Sequence, residues 1–269
     1  MTPYTRISLN IENDIATVQL NRPEKMNGLD LIMFHELDHV SKHLHRNKSI
    51  RAVLLTGAGN EFCTGLDVKA MMKKKTNILK MLFKWWPGNS NLAQRVTTNW
   101  RNIPVPVIAV IQGKCWGGGL QIILGADFRI AYPDATFSIM ESKWGLIPDM
   151  GANMALTELI AIDKAKELAM TGKIINAIDA EKIGMISSVD EDAGTRAAEL
   201  IAECSQRSPD TVGAVKALFN NNWQRNSPWM LAQESWYQLK ILLGKNQQIA
   251  VKRQLDSEKE HQYVPRKKW

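Results

Sequence analysis

The stretch of sequence that decides the fold is residues 110–121, which read VIQGKCWGGGLQ. It begins in an apolar strand predicted at residues 107–111 and ends in the apolar run of residues 120–124. Between them lies the triplet Gly117-Gly118-Gly119. Consecutive glycines let the backbone turn tightly with its amides exposed, and the N-terminus of a following helix adds positive potential. The sequence therefore predicts a strand, a glycine turn and a helix that together present N–H groups to an anionic oxygen.

A second segment has the same character. Residues 60–68 read NEFCTGLDV and place Gly65 shortly after a strand predicted at residues 52–55. One amide from each glycine-bearing loop would suffice to hold a single oxygen, and stabilisation of an oxyanion is often the largest catalytic contribution. The alternative at this point is that the glycines serve only close packing of the two loops.

Two other chemistries compete with an oxyanion site. Residues 35–39 read HELDH and fit the HExxH zinc pattern, with His45 where a third ligand could lie. The turn that would return a third ligand needs a glycine, whereas the chain has Lys42. These histidines also occupy the polar stripe of an amphipathic helix predicted at residues 30–46. We therefore favour a solvated helix face and expect no metal.

The third candidate is a dinucleotide site at Gly57-Ala58-Gly59, which follows the strand at residues 52–55. The full pattern needs a further glycine, and Phe62 stands at that position. Short GxG sequences are common in ordinary turns. We therefore interpret this segment as a turn.

The rest of the chain predicts an α/β fold. Apolar alternation or short apolar runs predict strands at residues 7–11, 16–20, 52–55, 107–111, 128–131 and 136–139. Residues 71–100 begin as an amphipathic segment and break at Pro87-Gly88. From about residue 149 the pattern is mostly helical. Strands that alternate with helices, followed by helices alone, favour a mixed sheet with a C-terminal helical layer.

Composition narrows the class of protein. The 269 residues are 45% hydrophobic and 23% charged, which excludes a disordered or collagen-like chain. The three cysteines are widely spaced and are expected to be free thiols. The net charge of +7 has two interpretations, an ordinary solvated surface or attraction of a phosphate-bearing ligand, and charge alone does not choose between them. No nucleic-acid-binding motif, membrane span or targeting segment is recognisable. The expected location is cytoplasmic.

Five motifs in order resemble those of the crotonase superfamily, the enoyl-CoA hydratase/isomerase family. The resemblance is clearest over residues 5–190. Its motifs are NRPEKMN at residues 21–27, FCTGLDV at 62–68, GGG at 117–119, GLIP at 145–148 and the segment at 172–189.

The resemblance implies a crotonase-like spiral of ββα units over residues 1–195. A helical region at residues 196–269 would mediate trimer formation and cover coenzyme A. It implies an acyl-CoA thioester as substrate, no cofactor beyond its coenzyme A, and a homotrimer or dimer of trimers. The amides of Leu66 and Gly118 would form the oxyanion hole. The residues expected near coenzyme A or the substrate are Lys25, Asp67, Val68, Lys69, Gln121 and Trp144.

The resemblance also separates two activities. Hydratases of the family use two glutamates around a water, and the position of the first is Gln121 here. An amide cannot act as a general base. The second aligns with Glu141, and Asp149 stands where hydratases usually carry glycine.

One or two carboxylates suffice to move a proton along an acyl chain, so we predict Glu141 and Asp149 as catalytic residues of an enoyl-CoA isomerase. The alternative, purely structural roles are a surface or structural ion pair for Glu141 and a helix N-cap for Asp149. The alternative functions are a hydratase that uses Glu141 alone and a non-catalytic binder of CoA thioesters.

Overall fold

The computed structural model describes residues 4–72, 81–86, 88–223, 227–255 and 261–266. Pro87, where the amphipathic pattern was expected to break, lies outside the described residues. The lysine run at 73–75 and the basic residues Lys267 and Lys268 also lie outside them.

A six-stranded sheet forms the centre of the molecule, in the order β1-β2-β3-β4-β6-β9. Its strands are β1 (Ile7–Glu12), β2 (Ile15–Leu20), β3 (Ala52–Gly57), β4 (Val107–Ile111), β6 (Phe128–Ala131) and β9 (Ser188–Val189). The first two strands form the predicted antiparallel hairpin, and all further neighbours are parallel. Asn13 and Asp14 turn the hairpin with positive φ angles of 50° and 63°. Both residue types tolerate this left-handed conformation better than most.

A second sheet of three strands lies beside the first. It contains β5 (Lys114–Trp116), β7 (Thr136–Ser138) and β8 (Ile175–Asn176). The chain twice passes from the large sheet to the small one, from β4 into β5 and from β6 into β7, and β5 and β7 are parallel neighbours. This repetition, with a helix after β5, confirms the predicted spiral of strand pairs and helices.

Eleven helices can be bounded within the described residues, together with short 3-10 helices at Pro23–Lys25 and Met140–Trp144. Those of the first half are α1 (Leu31–Arg46), α2 (Val68–Met72), α3 (Leu92–Asn102) and α4 (Gly118–Ile123). Those of the second half are α5 (Ala152–Leu159), α6 (Ile162–Thr171), α7 (Ala177–Lys182), α8 (Ala193–Ser205), α9 (Pro209–Asn222), α10 (Ser227–Leu242) and α11 (Lys245–Leu255).

The residues of the HExxH pattern lie on α1, where Glu36 and His39 make structural contacts. Its apolar face is buried in the core, as predicted. The polar face is not merely solvated, because the Glu36 carboxylate accepts hydrogen bonds from the backbone N–H groups of Thr5, Arg6 and Ile7. Nδ1 of His39 lies 2.9 Å from the Tyr4 hydroxyl. Glu36 therefore holds the N-terminal strand, and the described residues contain no cluster of three or more potential metal ligands.

The C-terminal helices are fastened to the sheet by two kinds of contact. Helix α8 runs across the boundary expected at residues 195/196, and its buried side chains pack with those of β4 and β6. Lys216 on α9 is buried and pairs with Asp127 at 2.6 Å. Its ammonium also donates to the carbonyls of Trp100 and Val105. Among the helices in the described ranges, none is both long and apolar enough to cross a membrane.

Candidate active site

Backbone hydrogen bonds bring the two glycine-bearing loops together. Cys63 N donates to Lys114 O at 3.0 Å, and Trp116 N donates to Cys63 O at 2.9 Å. Cys63 and Cys115 are thereby bridge partners, both buried and both free thiols. Burial raises the pKa of Cys63 to about 12, so this thiol is neutral and serves packing rather than nucleophilic chemistry.

Glycine is required where the loops meet. A Cβ on Gly65, whose φ is +88°, would lie 2.9 Å from Trp116 O and 3.1 Å from Gly118 N. A Cβ on Gly119 would lie only 2.5 Å from Cys63 O. The glycines do serve close packing, and that packing places the Gly65-Leu66 peptide beside the start of α4. Close packing of the loops and presentation of their amides are therefore compatible roles for these glycines.

Two amides at this junction are unused within the described part of the chain. Leu29 pairs with both neighbours of Leu66, because Leu29 N donates to Gly65 O and Asp67 N donates to Leu29 O. The Leu66 N–H then points away from this ladder and, among the described residues, donates no hydrogen bond. Gly118 is the first residue of α4, so its N–H has no acceptor within the helix. Leu66 and Gly118 thus offer two N–H groups on neighbouring loops.

The Glu141 carboxylate lies next to the glycine turn. A Cβ on Gly117 would lie 3.5 Å from Oε1 of Glu141 and 3.8 Å from the Cα of Gly65. Oε1 of Glu141 accepts a 2.5 Å hydrogen bond from Nε2 of Gln121. Its other oxygen, Oε2, is buried and has no partner within the described residues.

Both predicted catalytic carboxyl groups have raised pKa values. Desolvation is the main cause of the raised pKa of Glu141, and the negative charge of Asp149 adds to it, while the Gln121 hydrogen bond acts in the opposite direction. Desolvation also raises the pKa of Asp149, although that residue as a whole is exposed. The effect of Asp149 on Glu141 places the two groups within electrostatic reach. Asp149 makes no capping bond to α5, whose N-cap is Gly151.

Gln121 connects the two catalytic candidates. Its side chain is 1% exposed, and its Oε1 accepts a 2.9 Å hydrogen bond from Met150 N, the amide that follows Asp149. The Met150 side chain reaches back to α4, since a Cβ on Gly118 would lie 3.1 Å from its sulfur. Gln121 therefore links Glu141 to the peptide that follows Asp149, and Met150 links that peptide to the first turn of α4.

Of the residues expected near coenzyme A, Asp67 and Val68 follow Leu66 directly, Lys69 lies in α2 and Lys25 ends the 3-10 helix Pro23–Lys25. Arg22, which sequence reasoning missed, pairs with Asp67 at 2.9 Å. Asp67 also accepts a 3.0 Å hydrogen bond from Ala70 N at the start of α2. Desolvation acts to raise the pKa of Asp67, but these hydrogen bonds and the positive charges of Arg22 and Lys25 lower it overall. Val68 begins α2, and the side chains of Lys25 and Lys69 are exposed.

The large apolar side chains at residues 144–150 and 85–86 are mostly exposed. Trp144 ends the 3-10 helix with 61% of its surface exposed, and Ile147 is exposed beside it. Met150 is buried. Trp85 and Trp86 are 90% and 69% exposed. Of this group, only Met150 is packed into the site.

Known proteins match this chain along most of its length. A family model for enoyl-CoA hydratase/isomerase matches residues 10–260. The chain belongs to the enoyl-CoA hydratase/isomerase family. YngF of Bacillus subtilis (strain 168), described only provisionally as an enoyl-CoA hydratase/isomerase, is 34% identical over 233 residues, covering 85% of this chain and 86% of its own.

Two further matches carry different activities in their names. A mitochondrial Delta(3,5)-Delta(2,4)-dienoyl-CoA isomerase of Dictyostelium discoideum is 29% identical over 233 residues, covering 81% of this chain and 77% of its own. A crystal structure of enoyl-CoA hydratase from Bacillus anthracis has a TM-score of 0.85 and 26% identity, and covers 96% of this chain and 99% of that chain. Family membership and the crotonase fold are therefore established, and the choice of reaction depends on the site.

Proposed function

We propose that this member of the enoyl-CoA hydratase/isomerase family shifts a double bond along the acyl chain of an enoyl-CoA by carboxylate-mediated proton transfer. The observation that carries the proposal is the pair Glu141 and Asp149, both with raised pKa values, beside two unused amides. At position 121, where a hydratase would need a second glutamate, the chain has an amide whose two ends are already hydrogen-bonded.

The reaction can be written with these groups alone. In a 3-enoyl-CoA, a carboxylate takes a proton from C2, and the electron pair moves onto the thioester oxygen to form a dienolate. The N–H groups of Leu66 and Gly118 would hold that oxygen while its negative charge develops. Return of the proton to C4 moves the double bond to C2–C3 and restores the carboxylate. No electron acceptor is needed, so we propose no cofactor beyond the coenzyme A of the substrate.

Oε2 of Glu141 is the atom best placed to take the proton. It is buried without a partner, whereas Oε1 is occupied by Gln121. A desolvated carboxylate is a stronger base than one in water, because burial disfavours its charged form. Asp149 would either return the proton or set the basicity of Glu141 through its charge.

Substrate binding and assembly complete the proposal. We propose that Lys25, Asp67, Val68 and Lys69 lie near coenzyme A, where the two exposed lysines would attract its phosphates. Trp144 would contact the acyl part. Exposed apolar side chains on α9, at its C-terminal cap and on α10 support a homotrimer or dimer of trimers; among them are Phe219, Trp223, Trp229 and Trp236. Analytical ultracentrifugation of the full chain tests this, and a monomer at micromolar concentration would contradict it.

A hydratase that uses Glu141 alone is the second candidate, because the unpartnered Oε2 could also orient a water. Two substrates separate the activities. With 3-hexenoyl-CoA, we expect 2-hexenoyl-CoA, detected by its absorbance and by mass spectrometry after chromatography. With crotonyl-CoA in heavy-oxygen water, we expect at most slow formation of labelled 3-hydroxybutyryl-CoA.

The outcomes are distinct. Rapid labelling without double-bond migration would overturn the isomerase in favour of the hydratase. Binding of coenzyme A esters without turnover of either compound would instead indicate a non-catalytic binder. Cytoplasmic location remains part of the proposal and is checked by fractionation of the source cells.

A further inference from the structure

The side chain of Gln121 makes two hydrogen bonds of opposite polarity, one as a donor and one as an acceptor. Its Nε2 donates to Oε1 of Glu141 at 2.5 Å, and its Oε1 accepts from Met150 N at 2.9 Å. The side chain is 1% exposed, so water does not compete for either bond. The two partners lie on separate segments, one in the 3-10 helix Met140–Trp144 and one next to Asp149.

We propose that Gln121 is a positioning residue for Glu141. By donating a hydrogen bond to Oε1, it fixes the orientation of the carboxylate so that Oε2 is the oxygen that takes part in proton transfer. This inference rests on the proposed function and deepens it. Gln121 touches neither the reacting carbon nor the thioester oxygen in this role, so it acts through Glu141.

The polarity of the two bonds supports the assignment. A backbone N–H can only donate, so Met150 N requires the carbonyl end of the amide. The amide then necessarily turns its NH₂ group toward Glu141, which fits an ionised carboxylate that can only accept. A glutamate at position 121 would face Glu141 with an acceptor unless it carried a proton. The amide thus favours the ionised, proton-accepting form of Glu141.

The consequence for Glu141 is a fixed orientation. With Oε1 bonded, the carboxylate cannot exchange its two oxygens without breaking a buried hydrogen bond, which is costly. Oε2 is left buried and without a partner in the described structure. The bond to Met150 N also fixes the peptide beside Asp149, whose charge is the one that acts on Glu141.

The test is Gln121→Met, which keeps the length of the side chain and removes both hydrogen bonds. The matched control is Gln112→Met, because Nε2 of Gln112 likewise ties a loop by donating to Gly57 O and Gly59 O. Proton abstraction is measured as exchange of the C2 protons of butyryl-CoA in D₂O, followed by NMR across a range of pH. This exchange needs no double-bond migration.

We expect Gln121→Met to lower the exchange rate about 10–100-fold with KM changed less than about twofold, since misorientation of a reacting group has effects of this order. We also expect the acidic limb of the pH profile to move to higher pH, because the lost hydrogen bond normally lowers the pKa of Glu141. Gln112→Met should lose thermal stability and leave that limb in place.

A second variant and a second readout protect the test from a folding failure. Gln121→Asn keeps the amide but shortens its reach, and it should move the limb in the same direction. The ¹³C carboxyl resonance of Glu141, assigned by its loss in Glu141→Gln, reports the same change without turnover. An unmoved limb and an unmoved Glu141 titration in both variants would overturn the inference. Exchange without double-bond migration in the wild-type protein would overturn the isomerase alone.

Discussion

Two carboxylates flank the glycine junction, and their hydrogen-bond partners differ in charge. Asp67 on the first loop is paired with Arg22 at 2.9 Å, and its pKa is lowered in spite of desolvation. Glu141 on the other side has a neutral amide as its partner and a negative charge, Asp149, nearby, and its pKa is raised. Desolvation acts to raise the pKa of both groups, and at Asp67 its hydrogen bonds and the Arg22 cation outweigh that effect. Asp67 therefore stays ionised to lower pH than a free aspartate, whereas Glu141 takes up a proton more readily than a free glutamate.

The largest expected effect follows from removing the Glu141 carboxylate, the group proposed to exchange a proton. Glu141→Gln should lower proton exchange and double-bond migration by about 10²–10⁴-fold, the usual contribution of a general base. Affinity for a coenzyme A ester, measured by calorimetry, should change little. The control is Glu158→Gln, because Glu158 is a carboxylate outside the glycine junction. It pairs with Arg101 at a distance of 2.8 Å. Full turnover in Glu141→Gln would end the distinction between the two carboxylates.

Asp149→Asn is expected to have the next largest effect, about 10–100-fold on the rate if Asp149 takes part in returning the proton. It also removes the negative charge that raises the pKa of Glu141. The acidic limb of the rate profile should therefore move to lower pH, opposite to its shift in Gln121→Met. A limb that does not move would show that the two carboxyl groups are not coupled.

Removal of the cation tests the other carboxylate. Arg22→Met leaves Asp67 without its ion-pair partner and should cost about 2–3 kcal/mol of stability at neutral pH. Because the pKa of Asp67 is lowered in the folded state, its stabilising contribution is present above its unfolded pKa and is lost as pH falls. The difference in Tm between wild type and variant should accordingly shrink toward acidic pH. A constant difference would mean that the ion pair does not cause it.

The smallest effect is a stability change of opposite sign. The pKa of Glu141 is higher in the folded protein than in the unfolded chain, so the unfolded chain releases this proton at lower pH. As pH rises above the unfolded pKa, ionisation of Glu141 therefore favours the unfolded state and lowers stability. Glu141→Gln should therefore raise Tm slightly, by about 1–3 °C near pH 8, with the gain disappearing toward pH 4. Calorimetric scans at several pH values measure it, and a loss of Tm at pH 8 would contradict a desolvated carboxylate.

Local pattern was sufficient to predict much of the fold. The hairpin, helix α1 and the strand that leads into the glycine turn were all predicted where they occur. Each is encoded within a few residues by periodicity of two or 3.6, by a cap or by a glycine. The function of Glu36 could not be predicted in this way, because the backbone N–H groups that donate to its carboxylate lie 29 to 31 residues away, just before and at the start of β1.

The sequence by itself determined the family, the two glycine-bearing loops and the presence of an amide at position 121. Only the tertiary structure decided that Gln121 would bond residues 20 and 29 positions away, and that Arg22 would neutralise Asp67. The physical reason is that a pKa depends on desolvation and on neighbouring charges in space. Those neighbours come from distant segments, whereas turns and helices are specified by residues adjacent in the chain.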